Sequence, residues 1–527
     1  MERVQFCSVI RFLVMDGKTC EEIKAKLDEY YGNHSPSMST VRHWCNEFKR
    51  REKIGPARFD SPLEAFHSRK KEKLAYVVCV SAKWKTNNEP DIVATIDLDP
   101  TSPTYSKIIH KLEMPYLGDE LHHWGWNACS NWKDYKVRRH YMIAPGINSS
   151  RIYIIDVASN PRSPKIYKVI ESEDLHEIGK SSSPNTVHCL PNGDILISCL
   201  GNEQGEAKGT FIVLEQGTFR LKGTWQKEGN SIEYNYDYWY QPLHNVMVST
   251  EWAAPNIFKK GFFMEDILNG RYGHCINFWD WNQKKRIQKI DFGNDGLIPL
   301  KVRFHHNPES DLGYVGCAFS STVFQFHKHD GSWASNLVVR IPPKKVQNWI
   351  FPEMPGFITD ILISLDDRNL YISNWLHGDI RQYDISDSNN VRQVGQIFIG
   401  GSICKDEKVI VTEDTELEKQ PVRPTVNGKP VRGGPQMLQL SLDGKRLYVT
   451  NSLFSSWDAQ FYKENIEKGS MMFLVHVNTE YGGLTLDKNF LIDFGLEGNY
   501  LAHEMRFPKG DSTSDIWELN LLMSEFE

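Results

Sequence analysis

Hydrophobic positions along the chain follow two different periods, and the change falls near residue 60. Up to residue 52 apolar side chains recur every three to four positions with almost no Gly or Pro, which predicts helices. Val4, Val9, Phe12 and Leu13 share one helical face that ends at Asp16-Gly17. Thr19 followed by Glu22 has the spacing of a capping box and opens a second helix with Ile23, Leu27 and Tyr30 inward. Gly32 to Pro36 breaks that helix. Ser39 or Thr40 is placed to cap a third one, with Val41, Trp44, Cys45 and Phe48 on its inner face and Arg42, His43, Lys49, Arg50 and Arg51 outside. Three short helices with a basic third one predict a helix-turn-helix module over residues 1–52, with Arg42, His43, Lys49 and Arg50 as candidate DNA contacts. The alternative is a folded module that does not touch DNA.

A linker over residues 53–61 leads into a region where the period becomes two. Short β-forming runs (TIDLD, RIYIIDV, DILISCL, TFIVLEQ, HNVMVSTEW, NLYISNWL, RLYVTNSL) alternate with Gly, Pro, Asn and Asp. A polar turn followed by a strand repeats in LPNGDILIS, QPLHNVMVS, HNPESDLGYVG, SLDDRNLYIS and SLDGKRLYVT, with weaker copies in HHWGWN and FPKGDSTSDIW. Each interval has room for four strands, so residues 62–517 are expected to form a mainly all-β, seven-bladed propeller. A pair of β-sandwiches would leave the repetition without a cause. Lys405 to Gly434 reads as a long surface excursion, and residues 518–527 as an acidic tail.

Composition narrows the partners. The chain has 527 residues with a formal net charge of −6, which excludes a protein that coats nucleic acid or an anionic membrane with its whole surface. No run approaches the roughly 18 apolar residues of a membrane span, and the first residues lack the pattern of a secretory signal, so a cytosolic location is expected. The 10 cysteines are scattered without a CxxC and read as reduced thiols. Among them Cys79, in the apolar run KLAYVVCV, is either an inert core residue or a reactive thiol.

Histidines gather at the repeated turns: His122, His123, His188, His244, His305, His306 and His503, with His377 after YISNW. Corresponding points of propeller blades approach one axis, so these residues are candidate ligands of one metal. Imidazoles without thiolates suit copper, iron or zinc, and a tetragonal imidazole site suits Cu(II). Neighbours in an extended segment point to opposite faces, which predicts that only one of His122/His123 and one of His305/His306 faces the axis. Glu251, Asp360, Asp379 and Glu504 are the carboxylates placed to hold a second ring proton, and Glu251, Asp360 and Glu504 to move protons in a reaction.

Two resemblances bear on function. IRFLVMDGKTCEEIKAKL and SMSTVRHWCNEFKR resemble the first helix-turn-helix of mariner-type transposases; neither a second module nor a three-carboxylate nuclease domain follows, which excludes transposase activity. DELHHWGWNACS, YDYWYQPLHNVMVSTEWAAPN, DGLIPLKVRF, PEMPGFITDILISLDDRNLYISNWLHGDIRQYDISD, GGPQMLQLSLDGKRLYVTNSL and LAHEMRFPKGD resemble the selenium-binding protein family, whose members include methanethiol oxidases. The resemblance implies a cytosolic and sometimes nuclear propeller that binds selenium. It also implies copper-dependent conversion of methanethiol, O2 and water to formaldehyde, hydrogen sulfide and hydrogen peroxide. The family's histidine motifs fall on His122, His123, His188, His244, His306, His377 and His503, leaving out His305, and its selenium-associated cysteine falls on Cys79. Trp132 stands where the family has a second cysteine after the paired histidines, and Trp124 where it has Ser. The rival reading is a non-catalytic selenium-binding propeller with protein partners on its rim.

Overall fold

A computed structural model describes residues 10, 13, 18–32, 35–53, 59–68, 71–83, 89–129 and 139–518, without the side chains of 46–53. The chain divides into two compact units, residues 1–58 and 59–527.

In the first unit the capping box is formed: Thr19 Oγ1 accepts from the Glu22 N–H at 3.2 Å, and Glu22 Oε2 accepts from the Thr19 N–H at 2.7 Å. It opens helix α1 (Cys20–Tyr31). Helix α2 (Met38–Lys53) starts earlier than predicted. Its cap is Ser37, whose Oγ accepts from the Thr40 N–H at 3.2 Å, because only Ser37 stands three residues ahead of an unpaired N–H of the first turn. Ile23 and Leu27 pack on Val41 and Cys45, with Ile10 and Leu13 completing the cluster. The rest of the predicted first helix lies outside the described residues, as do the side chains of Lys49 and Arg50. His43 is exposed. Arg42 is paired with Glu21 at 3.1 Å, which commits its guanidinium within the unit.

The second unit is mainly β, and its described residues form seven four-stranded antiparallel sheets in a propeller-like arrangement. One edge strand of each is the element that matters for the site: β1 (Gly125–Trp126), β2 (Ser182–Cys189), β3 (Tyr238–Gln241), β4 (Pro299–Phe304), β5 (Ile358–Ile363), β6 (Leu438–Leu440) and β7 (Tyr500–Arg506). Every residue of these strands is buried, whereas the opposite edge strands, such as Lys107–Glu113 and Lys285–Asp291, are largely exposed. Successive members of the set touch one another directly: β1 meets β2, β3 meets β4, β4 meets β5, β5 meets β6 and β6 meets β7. The seven strands therefore form the interior. Strand β7 arrives last in sequence and pairs with Leu74–Ser81, with Cys79 opposite Ala502, so the two ends of the region share one sheet.

Five of the repeated turns join the first and second strands of their sheets, in the hairpins after β2, β3, β4, β5 and β6. Gly193, Asn245, Asp367 and Gly444 have positive φ in four of them, the conformation that Gly, Asn and Asp adopt most readily. The two weaker copies differ in placement. HHWGWN begins before β1 rather than after it, and FPKGDSTSDIW follows β7. The excursion at 405–434 is better ordered than expected: Ile410–Glu413 pairs with Lys344–Gln347 in a three-stranded sheet. Glu416, in the same segment, makes two hydrogen bonds with Arg381, at 2.7 and 2.8 Å.

Candidate metal centre

Strand alternation sets the chemistry of the interior. In β7, Glu504 and Arg506 share one face and His503 the other; in β4, Lys301 and Arg303 share a face while Leu300, Val302 and Phe304 turn to the core. Strand β7 and the segment before β1 bring His122, His123 and His503 together, with one ring nitrogen of each within 4.8 Å of the others. The rings of His122 and His503 stack with centroids 3.8 Å apart. Both His122 and His123 enter this group, against the expectation of opposite faces. The segment is irregular, with Glu120 at φ +54° and no strand until Gly125, so the alternation rule does not govern it.

Hydrogen bonds assign the nitrogens. His503 Nδ1 lies 2.9 Å from the Ser452 carbonyl, which can only accept, so Nδ1 carries the proton and the Nε2 lone pair faces inward. That Nε2 is buried and has no partner among the described residues. His122 Nε2 and His123 Nε2 lie 3.1 and 3.0 Å from the Tyr236 hydroxyl. Lys301 Nζ donates to His123 Nε2 at 2.8 Å, and His123 Nδ1 lies 3.2 Å from Glu504 Oε1. Glu504 Oε2 accepts from the Trp124 N–H at 2.8 Å and pairs with Arg506 at 2.9 Å. Burial lowers the basicity of all three imidazoles, to about 4 for His503, and the cation of Lys301 adds to the effect, so each ring is neutral at pH 7.

These donors fit a metal of the copper, zinc or iron class: three neutral imidazoles, one with an orphaned buried lone pair and its other nitrogen anchored on a carbonyl. Closing all three onto one ion requires Lys301 and Tyr236 to yield His123.

The remaining sequence candidates scatter. His188 lines a cavity of about 10 Å³ beside His123, Lys301, Arg303, Glu504 and Arg506, with Nδ1 3.4 Å from the Ser514 carbonyl. His306 Nε2 is spent on the Ile363 carbonyl and His377 Nε2 on the Met354 carbonyl, each at 3.0 Å. His244 is half-buried in the turn after β3. These four lie outside the three-histidine group: His188, His244 and His306 stand at the ends of β2, β3 and β4, spread around the interior, and His377 follows the strand Asn369–Asn374, while His122 and His123 stand at the start of β1. Asp360 does reach the interior, 3.9 Å from Arg303, and burial pushes it up to about 6 against the pull of Lys301 and Arg303. Asp379 is held by Arg381 and Asn374 at 2.8 and 3.0 Å. Glu251 lies elsewhere, accepting from Asn277 at 3.0 Å beside Cys275 and Lys289. Cys79 is fully buried, its thiol held protonated by burial and by Asp91. Trp124 is a core residue, and Trp132 lies outside the described residues.

Tyr236, Lys301 and Arg303 were missed from sequence. Their signal was present: two cations two residues apart in PLKVRF, an otherwise apolar strand, must be buried on one face and therefore paired.

A separate cavity of about 170 Å³ is lined by Ser81, Glu89, Asp91 and Glu120. Burial pushes Asp91 up to about 8 and Glu120 up to about 7, the latter against hydrogen bonds from Ser455. Below pH 4.5 the folded and unfolded chains both protonate Glu120. Between 4.5 and about 7 only the unfolded chain releases the proton, so this group lowers stability as pH rises. Glu120→Gln is therefore expected to cost less stability at pH 8 than at pH 4.5, by up to about 3 kcal/mol. Denaturant unfolding at both values checks it, and an equal cost at both pH values would refute it.

A family model described as the 56kDa selenium binding protein (SBP56) matches residues 52–518. The chain belongs to the selenium-binding protein family. Relatives include methanethiol oxidases of Xenopus laevis, 54% identical over 467 residues, and of Homo sapiens, 52% identical over 467 residues; each alignment covers 88% of this chain and 98% of the relative. A mouse family member, selenium-binding protein 2, is 53% identical over 469 residues. Among solved structures, a hypothetical selenium-binding protein from Sulfolobus tokodaii matches with a TM-score of 0.79 and 38% identity, covering 88% of this chain and 99% of that one. The family match begins at residue 52, so the first helical unit lies almost wholly outside it.

Proposed function

We propose that this protein is a methanethiol oxidase, converting methanethiol with O2 and water to formaldehyde, hydrogen sulfide and hydrogen peroxide. In this reading the seven sheets are the blades of a seven-bladed β-propeller closed by β7, and the centre at its hub holds copper. The observation that carries it is the orphaned Nε2 of His503 turned toward His122 and His123, in a chain at least 52% identical to named methanethiol oxidases. His122, His123 and His503 would hold the ion. When bound, copper supplies acidification of the thiol and one-electron exchange with O2.

The chain's own groups supply the rest. Lys301 and Arg303 place positive charge where a small thiolate is to be held, Lys301 within 2.8 Å of His123. Glu504, fixed by the Trp124 N–H and Arg506, is the acceptor for the thiol proton. The phenol of Tyr236, kept protonated by burial, lies within hydrogen-bond distance of Nε2 of both His122 and His123 and so orients the two rings side by side. The small volume beside His123 admits about one water-sized molecule, so even a one-carbon thiol enters only when the side chains lining it move apart. Selenium binding at Cys79 belongs to the same proposal; the buried, protonated thiol requires local opening of Leu74–Ser81 to react.

The test is methanethiol-dependent O2 consumption and sulfide release by the full chain, copper-loaded against copper-free. Copper-dependent uptake is expected. A folded, copper-loaded protein without uptake would sink the oxidase reading.

A further inference from the structure

A second group of metal-ligating side chains lies away from the three histidines, in the sheet that begins with β3. His274, Cys275 and Asp291 each offer one donor atom, all within 4.8 Å of one another. Cys275 opens the strand Cys275–Asp280, and Asp291 ends the strand Lys285–Asp291; the two residues are register partners, so their side chains leave the same face. His274 stands one residue earlier, held in place where its carbonyl accepts from the Phe292 N–H at 3.0 Å. Cys275 Sγ lies 3.4 Å from His274 Nδ1, and that nitrogen lies 2.7 Å from Asp291 Oδ1. Asp291 Oδ1 also accepts from the Gly293 N–H at 2.7 Å.

We propose that His274, Cys275 and Asp291 form a binding site for a divalent ion of the zinc class, separate from the histidine centre. Tetrahedral zinc with bonds of about 2.0–2.3 Å sets its sulfur and nitrogen donors about 3.5 Å apart and its nitrogen and oxygen donors about 3.4 Å apart. The first separation is already present, and the second needs an opening of under about 1 Å. A thiolate, an imidazole and a carboxylate are the donors zinc selects, and three protein ligands leave the fourth position open to water. His274 and Asp291 are 40% and 59% exposed, which gives an ion access, while Cys275 is buried beneath them.

The surroundings favour a cation. Glu251, buried beside Cys275 and packed against Gly273 so closely that a Cβ there would lie 2.3 Å from its own, adds a second carboxylate under the site. Lys289, the cation facing Glu251 and Cys275, is the group an entering ion displaces. Ligation as a thiolate releases the Cys275 proton, so uptake is accompanied by proton release. The physical consequence is a cross-link at the open end of the outer hairpin, where Cys275 and Asp291 are the terminal pair.

Cobalt(II) reports this site without interference from the histidine centre, because only a thiolate ligand produces a sulfur-to-cobalt charge-transfer band in the near ultraviolet. Titrating the full, metal-free chain with Co2+ is expected to raise that band to one equivalent, and Zn2+ is expected to bleach it. Cys275→Ser should remove the band, and the surface variants His274→Gln and Asp291→Asn should weaken binding by about tenfold or more. His503→Ala should leave the band unchanged. Absence of the band, or a band that survives Cys275→Ser or both surface variants, would overturn the proposal.

Discussion

Replacing His503 by Ala is expected to lower copper occupancy and to reduce methanethiol-dependent O2 uptake by about 100-fold or more, the range in which removal of metal-supporting groups acts. His503 is the most committed of the candidate ligands: its Nδ1 is anchored on the Ser452 carbonyl at 2.9 Å, and its Nε2 is buried with no partner among the described residues. An unpaired buried nitrogen costs stability unless something occupies it, so copper should raise the thermal unfolding midpoint of the wild type more than that of His503→Ala. His244→Ala is the comparison, since His244 lies half-buried in a surface turn; it should retain copper and turnover. Equal copper content and equal rates in His503→Ala and wild type would remove this centre from consideration. Lys301→Met separates a second role. With His123 Nε2 relieved of its 2.8 Å contact, copper should bind at least as tightly, while the rate falls because the positive charge that holds thiolate is gone.

The largest effect on stability is expected at Arg303. Its guanidinium meets Asp237 Oδ2 at 2.8 Å, stacks over Trp239 with 5.1 Å to the ring centre, and lies 3.9 Å from Asp360, all inside the unit. Burial works against the charge on Asp237, but Arg303 and Lys301 hold its carboxyl below the ordinary value. Arg303→Met leaves that carboxylate buried with one cation fewer, at a cost of about 3–5 kcal/mol. The double variant Asp237→Asn, Arg303→Met should recover most of the loss, because neither charge is then stranded. The sign with pH follows from the depressed carboxyl. That carboxyl keeps its charge at pH 4 and gives it up only below the ordinary Asp value, whereas in the single variant the same buried group, with one cation fewer, takes up a proton more readily; the single variant should therefore suffer more at pH 8 than at pH 4. Thermal unfolding of the three proteins at both pH values gives the answer, and a double variant no better than the single one would refute it.

Much of the fold was legible because local patterns carry it. Alternation in RIYIIDV or NLYISNWL reports a strand through contacts one or two residues apart, and the repeated turns marked five hairpins correctly. The capping box at Thr19 and Glu22 is likewise a three-residue interaction. Helix α2 was misplaced at its start because Ser37, Ser39 and Thr40 are all chemically able to cap it, and only the path of the chain after Pro36 chooses Ser37. The grouping of the histidines was not legible in the sequence for the opposite reason. Equivalent positions in a repeat share a height and a radius, but they stand around the interior at different angles, so similarity of place in sequence does not bring His188, His244, His306 and His377 into one group.

The sequence by itself determined the mainly β class of the fold, five of the turns, two helices at the front and the family, since each rests on periodicity or on strings of neighbouring residues. Only the tertiary structure decided the centre. His122 and His503 stack across hundreds of residues, Lys301 is 178 positions from the His123 it contacts, and Glu251 turns out to serve a different neighbourhood from Glu504. Whether an imidazole is neutral, a carboxylate charged or a lone pair free depends on burial and on the charges within a few ångströms. Those distances exist only once the sheets have closed around the interior.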